Sequence, residues 1–447
     1  DLDIQGTSAS PVEIWGSWVA ETSIQARWQG FLLSAGSSAT VSHASISDSR
    51  GGFDIESGAS LEISSTNLVD NIIGVWNKGS LTGDGVICHS ASTSCLRVDG
   101  STSINQVTSS FSSEVIHISN GGNANIGTIH SVDDADVIVL DAGSTFNGQV
   151  DANRFSRVVR GSGSVTAIVT LGTIGTGNVL VEADSLSGLF VTGGSPCTSN
   201  CTVESILTGI VDDVEFSSLF LHCGGLNPCI DARIDGALEF AGAWPSTEIY
   251  PTSLFARLRG DGDARFNGIS VHSNHTLFDV SGDGTLSVEN STLRGNVGTI
   301  SGWTIEFSNT VIPAETSGFV LLDVEAQFNL VEVVRDFSSS DTTSVGLQAV
   351  WSNIVMDNMT MTGWNEGIVC ESECSLTGDV VSSGGGGRTS GSGITIDGGS
   401  VRIETLETSA SDVGINVIDG SIHVENWTVD MAHRSYGIQL ANDANAI

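Results

Sequence analysis

Apolar and polar residues alternate in short runs of three to five along this chain, and the runs return at a near-constant interval. Gly30-Phe31-Leu32-Leu33, Gly52-Phe53-Asp54-Ile55 and Gly74-Val75-Trp76 begin 22 residues apart. Gly393-Ile394-Thr395-Ile396, Gly414-Ile415-Asn416-Val417 and Gly437-Ile438-Gln439-Leu440 follow at steps of 21 and 23. A second phrase trails them, as in Ser60-Leu61-Glu62-Ile63, Thr285-Leu286-Ser287-Val288, Ser400-Val401-Arg402-Ile403 and Ser421-Ile422-His423-Val424. Runs this brief with period two predict strands, not helices. A fixed period in this range marks a solenoid, in which each unit buries its apolar face by stacking on its neighbours.

Residues 52 to 71 read as one coil: Gly-Phe-Asp-Ile, a turn at Glu56-Ser57-Gly58, a second strand, a turn at Ser64-Ser65, and Asn67-Leu68-Val69. Gly, Ser, Asn and Asp stand at the corners, where left-handed backbone or side-chain-to-backbone bonds are useful. On these repeats the chain resembles the right-handed parallel β-helix, the pectate-lyase-like solenoid. The resemblance implies an all-β fold with three short strands per coil. Residues 1–447 would form one continuous β-helix of roughly 20 coils, on the order of 100 Å long at the usual strand spacing. The pattern specifies architecture and says little about activity.

No stretch holds a helical period, and no run approaches a membrane span. The chain opens on Asp1 without a leader, as a mature form or an excised piece would. There are 52 acidic against 16 basic residues, net −36, and Lys78 is the single lysine. A field of this sign excludes nucleic acid and anionic membrane as partners. No cofactor is expected; calcium would suit the charge, but no calcium-type motif is legible, and no metal ligands are assigned. Solvation of a Gly- and Ser-rich solenoid accounts for the acidity without any site.

The eight cysteines fall into four close pairs, Cys88/Cys95, Cys197/Cys201, Cys223/Cys229 and Cys370/Cys374. Eight cysteines allow about 105 connectivities, but this spacing favours the local one. The pairs sit at corners: Cys370 and Cys374 stand where Ile55 and Ala59 stand in another coil, and Cys95 replaces the strand-opening Gly. The intervals lack zinc-site spacing. Disulfides imply an oxidising, extracellular compartment. Five Asn-x-Ser/Thr sequons occur, at Asn200, Asn274, Asn290, Asn358 and Asn426, a number chance would give in so Ser- and Thr-rich a chain. Asn290, Asn358 and Asn426 share one phase of the repeat, which glycosylation or a turn preference for Asn would each explain.

Enzymes of the resembled fold act on polysaccharides, as calcium-dependent lyases with a basic Arg or Lys or as hydrolases with clustered aspartates. The hydrolase signatures (an Asn-Thr-Asp strand, a Gly-His-Gly turn, an Arg-x-Lys) are absent, and no catalytic residue is assigned. His130-Ser-Val-Asp133-Asp134-Ala-Asp136 is the densest candidate, but it lies at a corner where Asp serves the turn. The outward residues of the Gly-led strands read Leu32, Asp54, Trp76, Arg97, His117, Ile138. Asp54, Arg97 and His117 would converge on one face. Trp76, Trp351, Trp364 and Trp427 are candidate stacking platforms for a glycan.

Between 185 and 262 the repeat loosens, with cysteine loops and Trp244-Pro245, suggesting a bulge or seam. Gly384–Gly387 lengthens a later coil. No capping helix is legible, so the ends would meet copies of this chain, end to end, or further parts of a longer chain. The expectation is an extracellular, cell-surface or filament-forming structural and adhesive protein. A polysaccharide lyase or hydrolase, or a glycan-binding module, is the alternative.

Overall fold

The computed structural model describes residues 2–16, 27–172, 178–193, 202–225, 227–242, 247–335, 344–384, 391–410, 413–431, 436–441 and 444–447. Among them there is no helix, and every pairing between strands is parallel. The chain is a parallel β-solenoid. No helix of the described residues is long and apolar enough to cross a membrane.

One coil shows how the sequence dictates this. Gly51–Ile55, Ser60–Ser64 and Thr66–Val69 are its strands. Gly58 (φ 81°), Ser65 (φ 44°) and Asp70 (φ 52°) take the corners in left-handed backbone. The next coil repeats the phase, so Phe53 pairs with Val75, Leu61 with Leu81 and Leu68 with Cys88. Phe53, Ile55, Leu61, Ile63 and Leu68 therefore all point inward and are buried. A slip of one residue would turn that whole set outward, which fixes the register. Gly52 opens its strand because there is no room for a side chain. A Cβ there would lie 2.4 Å from the Gly74 carbonyl oxygen, and one on Gly74 2.5 Å from that of Cys95.

The described residues make about 17 turns, somewhat fewer than the 20 expected. The step is 22 residues from Phe31 to Phe53, but 28 from Leu221 to Ile249 and 28 from Val320 to Gln348. In several coils the short strands run on through their corners, although Gly143, Gly398 and Gly420 take left-handed backbone there (φ 79°, 90° and 108°). Asp136–Asn153 runs 18 residues, and Ser392–Ala410 and Val413–Met431 run 19 each.

Two compact units are present, residues 1–219 and 220–447, and the division at Leu219 falls in the stretch where the repeat loosens. In the first unit, Asp48, Asp70, Ser90, Phe111, Asp133 and Arg154 take one corner of successive coils, all with φ between 50° and 60°. The residue after each turns inward. There Asn71 accepts hydrogen bonds from the Ser49 amide (3.0 Å) and hydroxyl (2.6 Å), and Asp134 accepts from the Ser112 amide (2.7 Å). A buried polar corner is thus satisfied coil by coil.

Three local disulfides form, Cys88–Cys95, Cys223–Cys229 and Cys370–Cys374, with Cα separations of 5.7, 5.6 and 5.5 Å. All six half-cystines are buried. Loops this small return little chain entropy, so the sulfurs act mainly as core filling at the corners. Cys370, for instance, sits in register between Ala349 and Ile396. Cys197 and Cys201 lie outside the described residues, as do Trp244, Pro245 and the Gly-rich loop at 385–390.

The second unit packs its interior with phenylalanine. Phe266 stacks on Phe240 at 5.3 Å between ring centres and meets Phe255 and Phe278 at 5.7 Å each. All four rings are fully buried. Phe266→Ala is expected to cost about 3–5 kcal/mol in denaturant unfolding of the whole chain, since parallel coils cannot close over a ring-sized void. A loss below about 1 kcal/mol would contradict this packing.

Candidate functional site

The first unit lines up one outward side chain per coil. Register pairs Leu32 with Asp54, Asp54 with Trp76, Trp76 with Arg97 and Arg97 with His117. The row continues through Val139, Arg160 and Glu182. Asp54, Arg97 and His117 thus share a face, as the spacing predicted. Ile138 does not join them. It pairs with Ile116 and is buried, while Val139 takes the place opposite His117 and is itself covered. Val137–Leu140 is apolar on both faces, so its phase could not be read from alternation.

The row is held together by ion pairs and one indole. Lys78 Nζ lies 3.0 Å from Asp54 Oδ1 and 3.7 Å above the centre of the Trp76 ring, and the Arg97 guanidinium lies 4.9 Å from that ring. Lys78 has no acid near it in sequence; the coil supplies one 24 residues away. Trp76 Nε1 donates to Asp99 Oδ2 at 3.0 Å, and the Ser119 hydroxyl donates to Asp99 Oδ1. Burial opposes ionisation of Asp99, but those hydrogen bonds and the Arg97 charge outweigh it and hold the carboxyl below its ordinary value.

Further along, His117 Nδ1 sits 3.2 Å from Glu114 and Nε2 3.5 Å from Asp141. Arg160 bridges Glu114 (3.2 Å) and Asp136 (3.4 Å), and Arg157 bridges Asp136 (2.8 Å) and Glu182 (2.6 Å). The hydrogen bond to Glu114 raises the His117 pKa above the ordinary imidazole value. Burial opposes the rise, and the Glu114 and Asp141 charges reinforce it. Asp54, Asp99, Glu114, Asp136, Asp141 and Glu182 each face a cation, an imidazole or a hydroxyl donor. Such a face presents fixed charge and hydrogen-bonding groups rather than a free proton donor.

A cleft of about 330 Å³ opens at the Asp54 end, lined by Gln29, Arg50, Gly51, Asp54, Ile72, Ile73 and Trp76. Arg50 is exposed, and its guanidinium has no ion-pair partner among the described residues. Sequence reasoning missed it. The available signal was its place just ahead of a Gly-led strand, one coil below Trp76.

The His130–Asp136 cluster disperses. Asp133 takes left-handed backbone and pairs with Arg154 at 2.6 Å, and His130 meets Asp151 at 3.0 Å. Asp136 belongs to the arginine network. Asp134 is buried beneath the Ser109 and Ser131 hydroxyls, at 3.0 and 2.8 Å. Burial pushes its carboxyl above the ordinary value despite those bonds. Among the described residues no three His, Cys, Asp or Glu side chains gather as a metal site.

The sequons divide by backbone. Asn290 and Asn358 take left-handed corners (φ 51° and 53°), whereas Asn426 lies within the strand Val413–Met431. Asn290 donates to Asn267 at 3.1 Å and accepts from Asn309 at 2.8 Å, an amide ladder along one corner. Asn274 is exposed, and Asn200 lies outside the described residues. The tryptophans divide as well. Trp364 is buried and donates to the Val333 carbonyl at 3.1 Å; Trp427 is half-buried and donates to Thr408 at 3.0 Å. Trp351 is exposed.

No family model matches the chain. No curated protein matches it. Among solved structures, a PL6 family alginate lyase aligns over 94% of this chain and 96% of its own, with 10% sequence identity and a TM-score of 0.22. A likeness that slight carries no conclusion about site or activity.

The Glu114–His117 contact sets a pH dependence. With its folded pKa raised, His117 contributes stability that is fully present below the unfolded value, about 6.5, and is lost as pH rises through the folded value. Glu114→Gln is expected to lower the His117 midpoint in an NMR titration and to remove that part of the pH dependence. An unchanged midpoint would show that Glu114 does not govern it.

Proposed function

We propose that this protein is an extracellular, surface-exposed β-solenoid that binds polysaccharide at the Trp76 cleft of its first unit. One observation carries the reading. The indole of Trp76, the guanidinium of Arg50, which has no ion-pair partner among the described residues, the Asp54 carboxylate and the Gln29 amide line a single opening of about 330 Å³. A concave site with an aromatic wall and a few convergent polar groups suits a sugar ring, whose C–H face packs on an indole while its hydroxyls take the polar groups. Lys78 above the ring and Asp99 on its N–H hold the indole in place. The buried disulfides support an oxidising, extracellular setting. Engagement of the row's carboxylates by cations and hydroxyls favours an adhesive role over hydrolysis.

A lyase is the second reading, favoured by Lys78 and Arg97 beside the Trp76 ring, as cations that would offset the charge of a uronate. End-to-end assembly of copies of this chain would appear as filaments by electron microscopy.

Affinity electrophoresis against a panel of neutral and uronic-acid polysaccharides tests the main reading. At least one polymer should retard the protein, and Trp76→Ala and Arg50→Ala should each weaken that retardation roughly tenfold. The polymer should stay intact; appearance of unsaturated ends would favour the lyase. Failure of every polymer to bind, or equal binding by Trp76→Ala, would overturn the proposal.

A further inference from the structure

Three large apolar residues stand outward together in the second unit, and two of them occupy backbone that disfavours them. Trp351 is 61% exposed with φ 51°, and Leu330 is 58% exposed with φ 54°. Left-handed backbone is tolerated by Asn and Asp and is unusual for bulky residues. The same corners in neighbouring coils hold the expected types. Asp323 and Ser372 bracket Trp351, with the Asp323 amide donating to Val350 and the Trp351 amide to Ser372. Asn309 and Asn358 bracket Leu330. A tryptophan and a leucine in place of turn residues, both facing solvent, serve neither the corner nor the core.

Between these corners lies one outward sheet face. Register aligns Glu306, Gln327, Val355 and Thr377 in one row and Thr304, Glu325, Asn353 and Ser375 beside it. Val355 is 44% exposed at the centre. The four paired segments of this face, 304–308, 325–329, 353–357 and 375–378, contain no Lys or Arg. The next coil brings Arg402, which is paired with Glu425 at 3.6 Å. The Trp351 indole has no ring contact or hydrogen bond among the described residues.

We infer that this face is a second binding site, for a neutral glycan chain seated on the Trp351 indole and hydrogen-bonded by Gln327, Asn353 and Glu306. Amides, hydroxyls and carboxylates in rows a strand spacing apart match the hydroxyls of a polymer crossing the coils. The acidic side chains and the lack of cations reject uronate or sulfated chains by like-charge repulsion. Three apolar side chains are too few for a stable protein interface, which buries roughly 800 Å² per partner. The site is independent of the Trp76 cleft, which contains cations and lies in the other unit.

The test uses the full chain in affinity electrophoresis with hydroxyethylcellulose, a galactomannan and dextran, and polygalacturonate as the anionic polymer. Trp76→Ala serves as background to silence the first site. In that background a neutral polymer should still retard the protein and polygalacturonate should not. Trp351→Asn should weaken retention roughly tenfold, while Trp351→Phe keeps most of it. Because Asn suits a left-handed corner, Trp351→Asn should leave Tm equal or raise it, an outcome a packing role would not give. Retention by none of the three neutral polymers, undiminished retention by Trp351→Asn, or a lowered Tm that accompanies the lost retention would each overturn the inference.

Discussion

Parallel stacking of each coil on the one before is the constraint from which the rest of this structure follows. A residue's neighbours are not those beside it in sequence but those one coil away, at 19 to 28 residues beyond the first coil, whose own step is 32 to 37. Inward positions become columns of apolar side chains, outward positions become rows of polar ones, and corners become columns of a single backbone conformation. Main-chain hydrogen bonds are satisfied by the adjacent coil, so each coil supplies the template for the next. Glycine opens many strands because the carbonyl of the adjacent coil occupies the space a Cβ would need.

Rows of charge follow from the same geometry. At about 4.8 Å between strands, a lone outward acid meets a lone outward base one or two coils away, although no salt-bridge spacing is visible in the primary sequence. Asp54 finds Lys78, Glu114 finds Arg160, and Asp136 finds two arginines. A chain with net charge −36 thereby concentrates Arg97, His117 and Arg160 on one row of its first unit, with Lys78 and Arg157 beside it. The indole of Trp76 is fixed among them, and the cleft beside it takes its polar lining from both adjoining coils.

The fold class was legible because the period is written repeatedly, and the corners were legible because Gly, Asn, Asp and Ser recur at fixed phase. Three of the four local cysteine pairings appear as the spacing suggested; the fourth lies outside the described residues. Within the site, Asp54, Arg97 and His117 could be placed on one face by counting coils. Their partners could not, because Asp99, Asp141 and Lys78 sit one or two residues beyond the strand phase and reach the row through side-chain length. Ile138 was placed in the outward row in error, because an apolar run has no alternation to read. The exposure of tryptophan was illegible for a related reason. Trp351, Trp364 and Trp427 are equally turn-adjacent in sequence, and only the stacked neighbours decide which ring is covered.

A crystal structure of the protein with the longest oligosaccharide that competes for its bound polymer tests the central claim most directly. The account predicts a sugar ring packed on Trp76, with hydroxyl or carboxyl oxygens within hydrogen-bonding distance of Arg50, Asp54 or Gln29. An oligosaccharide that binds and leaves this cleft empty would contradict it.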